Sequence, residues 1–227
     1  MIELFIANKN YSSWSLRPWV LLSELGIPFT ETLLIFGDEA AWGPFRRVSP
    51  SGMVPCLRDG ATVVWDSLAI VEYLAERHAG VWPADGVARA WARSAAAEMH
   101  SGFGVLRQTC SMSVGVRVRL HTRPPALEEE LGRLTALWGQ GLERFGGPFL
   151  AGAAFTAVDA FFAPVVFRLS TYGLSLGDAA DAYAARLRAL PSMQAWASAA
   201  LAERARDVPH EAEIQQAGEC LEDLRAT

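Results

Sequence analysis

The spacing of apolar residues changes period several times along the chain, and each change predicts an element. Ile2 to Ala7 alternates closely enough for a first strand. Asn8 to Ser15 is polar and turn-rich; Leu16, Val20, Leu21 and Leu25 then recur at helical spacing until Gly26 stops them. On that count Pro18 falls in the first turn, where its missing amide costs nothing. Phe29 to Phe36 reads as a second strand, and Asp38 to Val48 as a less regular, partly helical connection.

Ser51 to Tyr73 carries the densest pattern. A Gly52 turn leads through Val54-Pro55 into the apolar pair Cys56-Leu57. Asp59-Gly60 has the composition of a two-residue hairpin turn, and Thr62 to Trp65, β-branched and aromatic, suits the returning strand. At Leu68, Ile70, Val71 and Leu74 the spacing passes from two to three and four, so a helix begins with Asp66-Ser67 at its head. The order β-α-β then β-β-α predicts a small α/β sandwich over residues 1–80.

The proline- and glycine-rich run between Gly80 and Gly86 predicts a domain boundary, with a second domain over 87–227. Strand signals fade beyond it. Val87 to Met112 is one long alanine-rich helical stretch, and Pro124-Pro125 opens a helix with Leu127, Leu131, Leu134, Trp138, Leu142 and Phe145 on one face. Thr156 to Asp159 has the form of a capping box, aspartate replacing the usual glutamate, ahead of an apolar run that Pro164 either kinks or joins without harm. Asp178 to Leu190 and Ser192 to Ala202 predict two more helices, and the charged last twenty residues a helical or loose tail.

Composition narrows the classes. At 227 residues, 51% apolar and 10% aromatic, the chain can bury a full core. The net charge of -5 is evenly spread, which leaves no basic stripe for nucleic acid and gives an anionic membrane little to attract. With no 18-residue apolar span and no basic leader at the start, a cytoplasmic location is expected. Cys56, Cys110 and Cys220 are odd in number and far apart, and His78 and His121 lack ligand spacing, so neither a disulfide framework nor a metal site is predicted. Among the basic residues only Lys9 is a lysine, the signature of a GC-rich bacterial genome.

Two backbone features lie close together in this plan. Pro55 cannot donate to a ladder; as an ordinary trans edge residue it does nothing more, whereas a cis bond would turn the Val54 amide and carbonyl towards an extended ligand. The helix opening at Asp66-Ser67 offers unpaired amides and partial positive charge to a carboxylate, unless Asp66 is only an N-cap. A short peptide with a free carboxylate fits both.

Tyr11-Ser12-Ser13-Trp14-Ser15-Leu16-Arg17, Val54-Pro55, Asp66-Ser67-Leu68-Ala69-Ile70 and Thr156 through Asp159, in this order and spacing, resemble the cytosolic glutathione transferase family across about residues 2 to 200. The resemblance implies a thioredoxin-like N-terminal domain that binds glutathione as co-substrate, an all-α C-terminal domain that forms most of the electrophile pocket, and a homodimer. It further implies that Val54 pairs with the cysteinyl backbone beside a cis Pro55, that Asp66 and Ser67 hold the γ-glutamyl end, and that Thr156 and Asp159 serve folding. Ser12 falls where serine-type classes such as zeta and theta place the activating hydroxyl, with Ser13 the fallback if the loop is shifted by one residue. The serine pair looks most like zeta, yet Trp14 and Leu16 depart from the zeta pattern and resemble a bacterial subgroup. Arg17 is expected to anchor the helix, and Met53 stands where several classes carry a polar glutathione contact. Tyr11, Trp14, His100, Phe103, Arg107 and Met112 are candidates for the electrophile pocket, although each also suits core packing or a solvated face.

A hydroxyl is enough for such chemistry. A free thiol has a pKa of about 8.5, and lowering it by roughly two units requires about 2.7 kcal/mol. A hydrogen bond to a charged acceptor supplies roughly 1.5–3 kcal/mol, and a helix N-terminus roughly 0.3–1. The expected function is therefore a detoxifying glutathione transferase whose serine favours the thiolate for attack on a small hydrophobic electrophile. A glutathione-dependent isomerase or dehalogenase, or a non-catalytic binding protein on the same scaffold, are the alternatives, and in the last the serines merely cap the helix.

Overall fold

The computed structural model describes residues 1–37 and 42–226, with the side chain of Trp42 left out. Strand β1 (Ile2–Ala7) is almost wholly buried, as a strand flanked on both edges should be. It runs parallel to β2 (Phe29–Leu34) and antiparallel to β3 (Cys56–Asp59), which turns through Asp59-Gly60 to β4 (Thr62–Val64); the sheet order is β2-β1-β3-β4. Helix α1 (Ser13–Glu24) joins β1 to β2, α2 (Trp42–Val48) precedes β3, and α3 (Ser67–Ala75) follows β4. The rest of the expected connection, 38–41, lies outside the described residues.

Helix α1 starts three residues before its apolar spacing becomes visible, because Ser12 caps it by accepting from the Ser15 amide. Pro18 therefore sits in the second turn and not the first. It withholds the amide that the Trp14 carbonyl would otherwise receive.

The second half consists mainly of helices: α4 (Gly86–Ser101), α5 (Gly104–Thr109), α6 (Pro125–Phe145), α7 (Ala157–Tyr172), α8 (Asp178–Arg188), α9 (Pro191–Ala202) and α10 (Val208–Ala217). Nearly every residue of α7 is buried, because α1, α4 and α8 pack around it. Pro164 is accommodated within α7 without ending it. The capping box forms: the Asp159 carboxylate accepts from the Thr156 amide at 2.9 Å, from the Leu150 amide at 3.0 Å and from the Tyr183 hydroxyl at 2.9 Å. Burial nevertheless pushes its pKa up to about 6, against those hydrogen bonds.

Two expectations need correction. The stretch from Val87 to Met112 breaks at Gly102-Phe103: a side chain on Gly102 would meet the Glu98 carbonyl at 2.8 Å, and Phe103 adopts the left-handed conformation with φ 53°. Strands also recur in this half, where β5 (Val116–Leu120) pairs antiparallel with β6 (Gly218–Asp223), so the tail is a helix followed by a strand. The alternation of Val116, Val118 and Leu120 with Arg117 and Arg119 was the available signal. One hydrophobic core runs through both halves, from Leu4 and Ile6 to Trp138 and Trp196.

Candidate active site

The start of α1, the loop before β3, the head of α3 and the last turn of α4 meet around a cavity of about 330 Å³. Trp14, Ser51, Met53, Val54, Pro55, Trp65, Asp66 and His100 line it. The Val54–Pro55 and Trp65–Asp66 peptides are both cis. Asp66 divides its carboxylate: Oδ1 caps α3 by accepting from the Leu68 amide at 2.9 Å, and Oδ2 lies 3.3 Å from His100 Nε2. Behind it, the Ser67 hydroxyl is buried and has no hydrogen-bond partner among the described residues. The head of α3 thus keeps an unused donor beside the partial positive charge of its open amides.

The two candidate serines differ sharply in state. Ser12 is buried, and its hydroxyl donates to Ser15 Oγ at 2.7 Å. Ser15 Oγ in turn accepts from the Ala7 amide at 3.1 Å, which ties α1 to β1. Ser13, the first residue of α1, is partly exposed, and no hydrogen bond of its hydroxyl is found among the described residues.

Trp14 forms the α1 side of the cavity between two guanidinium groups. Arg17 lies 4.1 Å and Arg107 4.5 Å from its ring centroid. Arg17 is only 1% exposed, yet its Nε and Nη1 have no partner among the described residues. Burial pulls its pKa down to about 9, Arg107 and Arg168 add to the fall and Asp66 opposes it, so the group stays charged at neutral pH. Arg107 is lowered in the same way, chiefly by burial and against Glu130. Arg168 donates through Nη1 to the Cys110 and Arg107 carbonyls at the end of α5, while its Nε has no partner among the described residues.

Of the candidates from the sequence, Trp14, Val54, Pro55, Asp66 and His100 line this one cavity. Tyr11, Phe103 and Met112 are buried elsewhere in the packing. The C-terminal segment covers Tyr11: its hydroxyl donates to Glu211 at 2.5 Å, its ring stacks on His210 at 5.1 Å, and Arg225 bonds both Tyr11 and Glu211. Burial and then Glu211 raise the Tyr11 hydroxyl to about 12, so it is no acid at neutral pH. Ser51 and Trp65 join the lining without having been singled out; their position beside Val54 and Asp66 was the only hint.

A four-stranded sheet of this order, with the cavity at its Val54-Pro55 end and a largely helical second half, defines a thioredoxin-like domain joined to a helical one. The family model for the glutathione S-transferase N-terminal domain matches residues 11–77. A probable maleylacetoacetate isomerase of Vibrio cholerae is 31% identical over 69% of this chain and 77% of its own length. The glutathione S-transferase-like protein OpS6 of Beauveria bassiana is 28% identical over 72% and 77%. Among solved structures, the theta class glutathione S-transferase of Xanthomonas axonopodis pv. citri, crystallised with glutathione bound, is 27% identical with a TM-score of 0.63, covering 86% of this chain and 95% of that one. The chain belongs to the glutathione S-transferase family, on its zeta-like side.

Proposed function

We propose that this protein binds glutathione in the cavity between Val54-Pro55 and the head of α3 and directs its thiolate at a small, largely apolar electrophile. The convergence of Val54, Pro55 and Asp66 on one cavity, next to the unpartnered Ser67 hydroxyl, carries this reading. Val54 offers its backbone to the cysteinyl unit, and Asp66 with Ser67 receives the γ-glutamyl end. Ser13 supplies the hydroxyl that favours the thiolate, while Ser12, committed to Ser15, braces the turn that presents it. Trp14, Met53 and Trp65 give the space beside the sulfur its apolar character. The protein acts as a cytoplasmic homodimer in detoxification; among the described residues no helix is long and apolar enough to cross a membrane.

Calorimetry with glutathione and a conjugation assay with a chloronitrobenzene test this reading. Ser13→Ala keeps glutathione affinity and loses about 10- to 100-fold in turnover, as expected for one hydrogen bond to a charged acceptor. Loss of turnover in Ser12→Ala alone, with the variant still folded at the assay temperature, would return the role to Ser12. Absence of glutathione binding at millimolar concentration would leave a scaffold protein. The likeness to the Vibrio cholerae protein favours a second reading, a glutathione-dependent isomerase. Product analysis separates the two, because an isomerase returns free glutathione and a transferase consumes it.

A further inference from the structure

His100 reaches the cavity from the helical half and meets Asp66 across it. Its Nε2 lies 3.3 Å from Asp66 Oδ2, with the histidine side chain 22% and the aspartate side chain 56% exposed. The ring is held in place: Trp14 packs edge-on at 5.4 Å, Phe161 lies at 6.2 Å, and Arg107 Nη1 donates to the His100 carbonyl at 3.3 Å. His100 Nδ1 is buried without a partner among the described residues, and Nε2 stands at ion-pair distance from Asp66 Oδ2. The charged groups that face the ring are Asp66 at the head of α3, Arg17 from α1 and Arg107 from α5. Burial holds the imidazole below its usual range; Asp66 opposes this, and Arg17 and Arg107 add to it. At neutral pH the ring is therefore uncharged, and it faces Oδ2 at 3.3 Å. The oxygens keep further lone pairs for a ligand.

We propose that His100 is the positioning residue of an ammonium seat at Asp66: neutral, it aims the carboxylate at a ligand's amino group, and protonated, it takes that charge for itself and weakens the ligand's hold. The inference rests on the glutathione reading, since the γ-glutamyl end carries such an ammonium. It adds a role for the helical half in recognising the peptide.

The test is calorimetry with S-methylglutathione, whose sulfur does not titrate, between pH 7.5 and pH 5.0. The full-length protein should bind about fivefold more weakly at the acid end, the upper range for a partly exposed pair. His100→Gln, which keeps a donor but cannot gain charge, should show a level profile. So should the wild-type protein with the S-methylated glutaryl analogue, which lacks the amino group. A level wild-type profile with S-methylglutathione, or the same acid weakening in His100→Gln, overturns the inference and leaves the glutathione reading standing. No binding at any pH removes both. Should the variant fail to fold, the imidazole titration followed by NMR on the wild-type protein decides: saturating ligand must lower the His100 pKa by at least about 0.7 units, by the reciprocity of linked binding, and an unmoved or raised value overturns the proposal.

Discussion

Asp159 at the head of α7 and Arg17 in the second turn of α1 are both ionisable groups withdrawn from water, but their surroundings differ. Asp159 receives two backbone amides and a tyrosine hydroxyl at 2.9–3.0 Å, which offset part of the cost of burial. Arg17 has two nitrogens without partners among the described residues and relies on the faces of Trp14 and Phe161. The first is a folding element whose valences are filled. The second, beside the cavity, keeps donors in reserve and accepts the cost of an uncompensated charge. Groups that organise a core are satisfied within the chain, whereas this group, stacked against the Trp14 ring that forms the cavity wall, is held by ring faces alone.

The largest effect expected from this contrast is on Asp159. Asp159→Ala removes the acceptor of four buried donors, the Leu150 and Thr156 amides and the Thr156 and Tyr183 hydroxyls, and should lower the unfolding free energy by about 3–5 kcal/mol in denaturant titrations. A loss below about 1 kcal/mol would mean that the box at Thr156 is ornamental. The pH dependence follows next. Because burial raises the folded pKa from 3.8 to about 6, the unfolded chain ionises first, and the stability contribution falls as pH rises through that window. At 1.36 kcal/mol per unit the fall is about 3 kcal/mol, seen as the wild-type curve declining relative to Asp159→Asn between pH 4 and pH 6. Parallel curves would show an aspartate already ionised in the folded state.

Arg17→Met should leave stability unchanged or raise it by up to about 2 kcal/mol, since an apolar chain of similar length fills the space without a buried charge. A clear loss of stability would show that Arg17 is a satisfied structural anchor and erase the contrast. The smallest effects separate the serines: Ser12→Ala should cost about 1 kcal/mol as a lost cap, and Ser13→Ala less than about 0.5 kcal/mol. Equal costs would mean that both hydroxyls serve the helix.

Much of this architecture was legible in the residue pattern. The hairpin at Asp59-Gly60, the cap at Asp66, the box at Thr156 and Asp159 and the helix faces of α6 follow from local rules, because a few neighbouring residues suffice to satisfy them. The β5–β6 ribbon was missed because it joins residues about a hundred positions apart, and nothing local announces the partner of a strand. Pro18 was misplaced because a cap made by Ser12 extends α1 ahead of its apolar face.

The candidate site divides along the same line. Residue order alone determined that a turn, a proline and a capped helix head follow one another within Ser51 to Tyr73, since bonded neighbours decide such features. Only the folded chain decided that the Ser12 hydroxyl is committed to Ser15 while that of Ser13 has no partner among the described residues, that His100 crosses from the helical half to Asp66, and that Tyr11 lies under the C-terminal segment. Those facts depend on distances between elements far apart in sequence, set by how the core packs and not by any local preference.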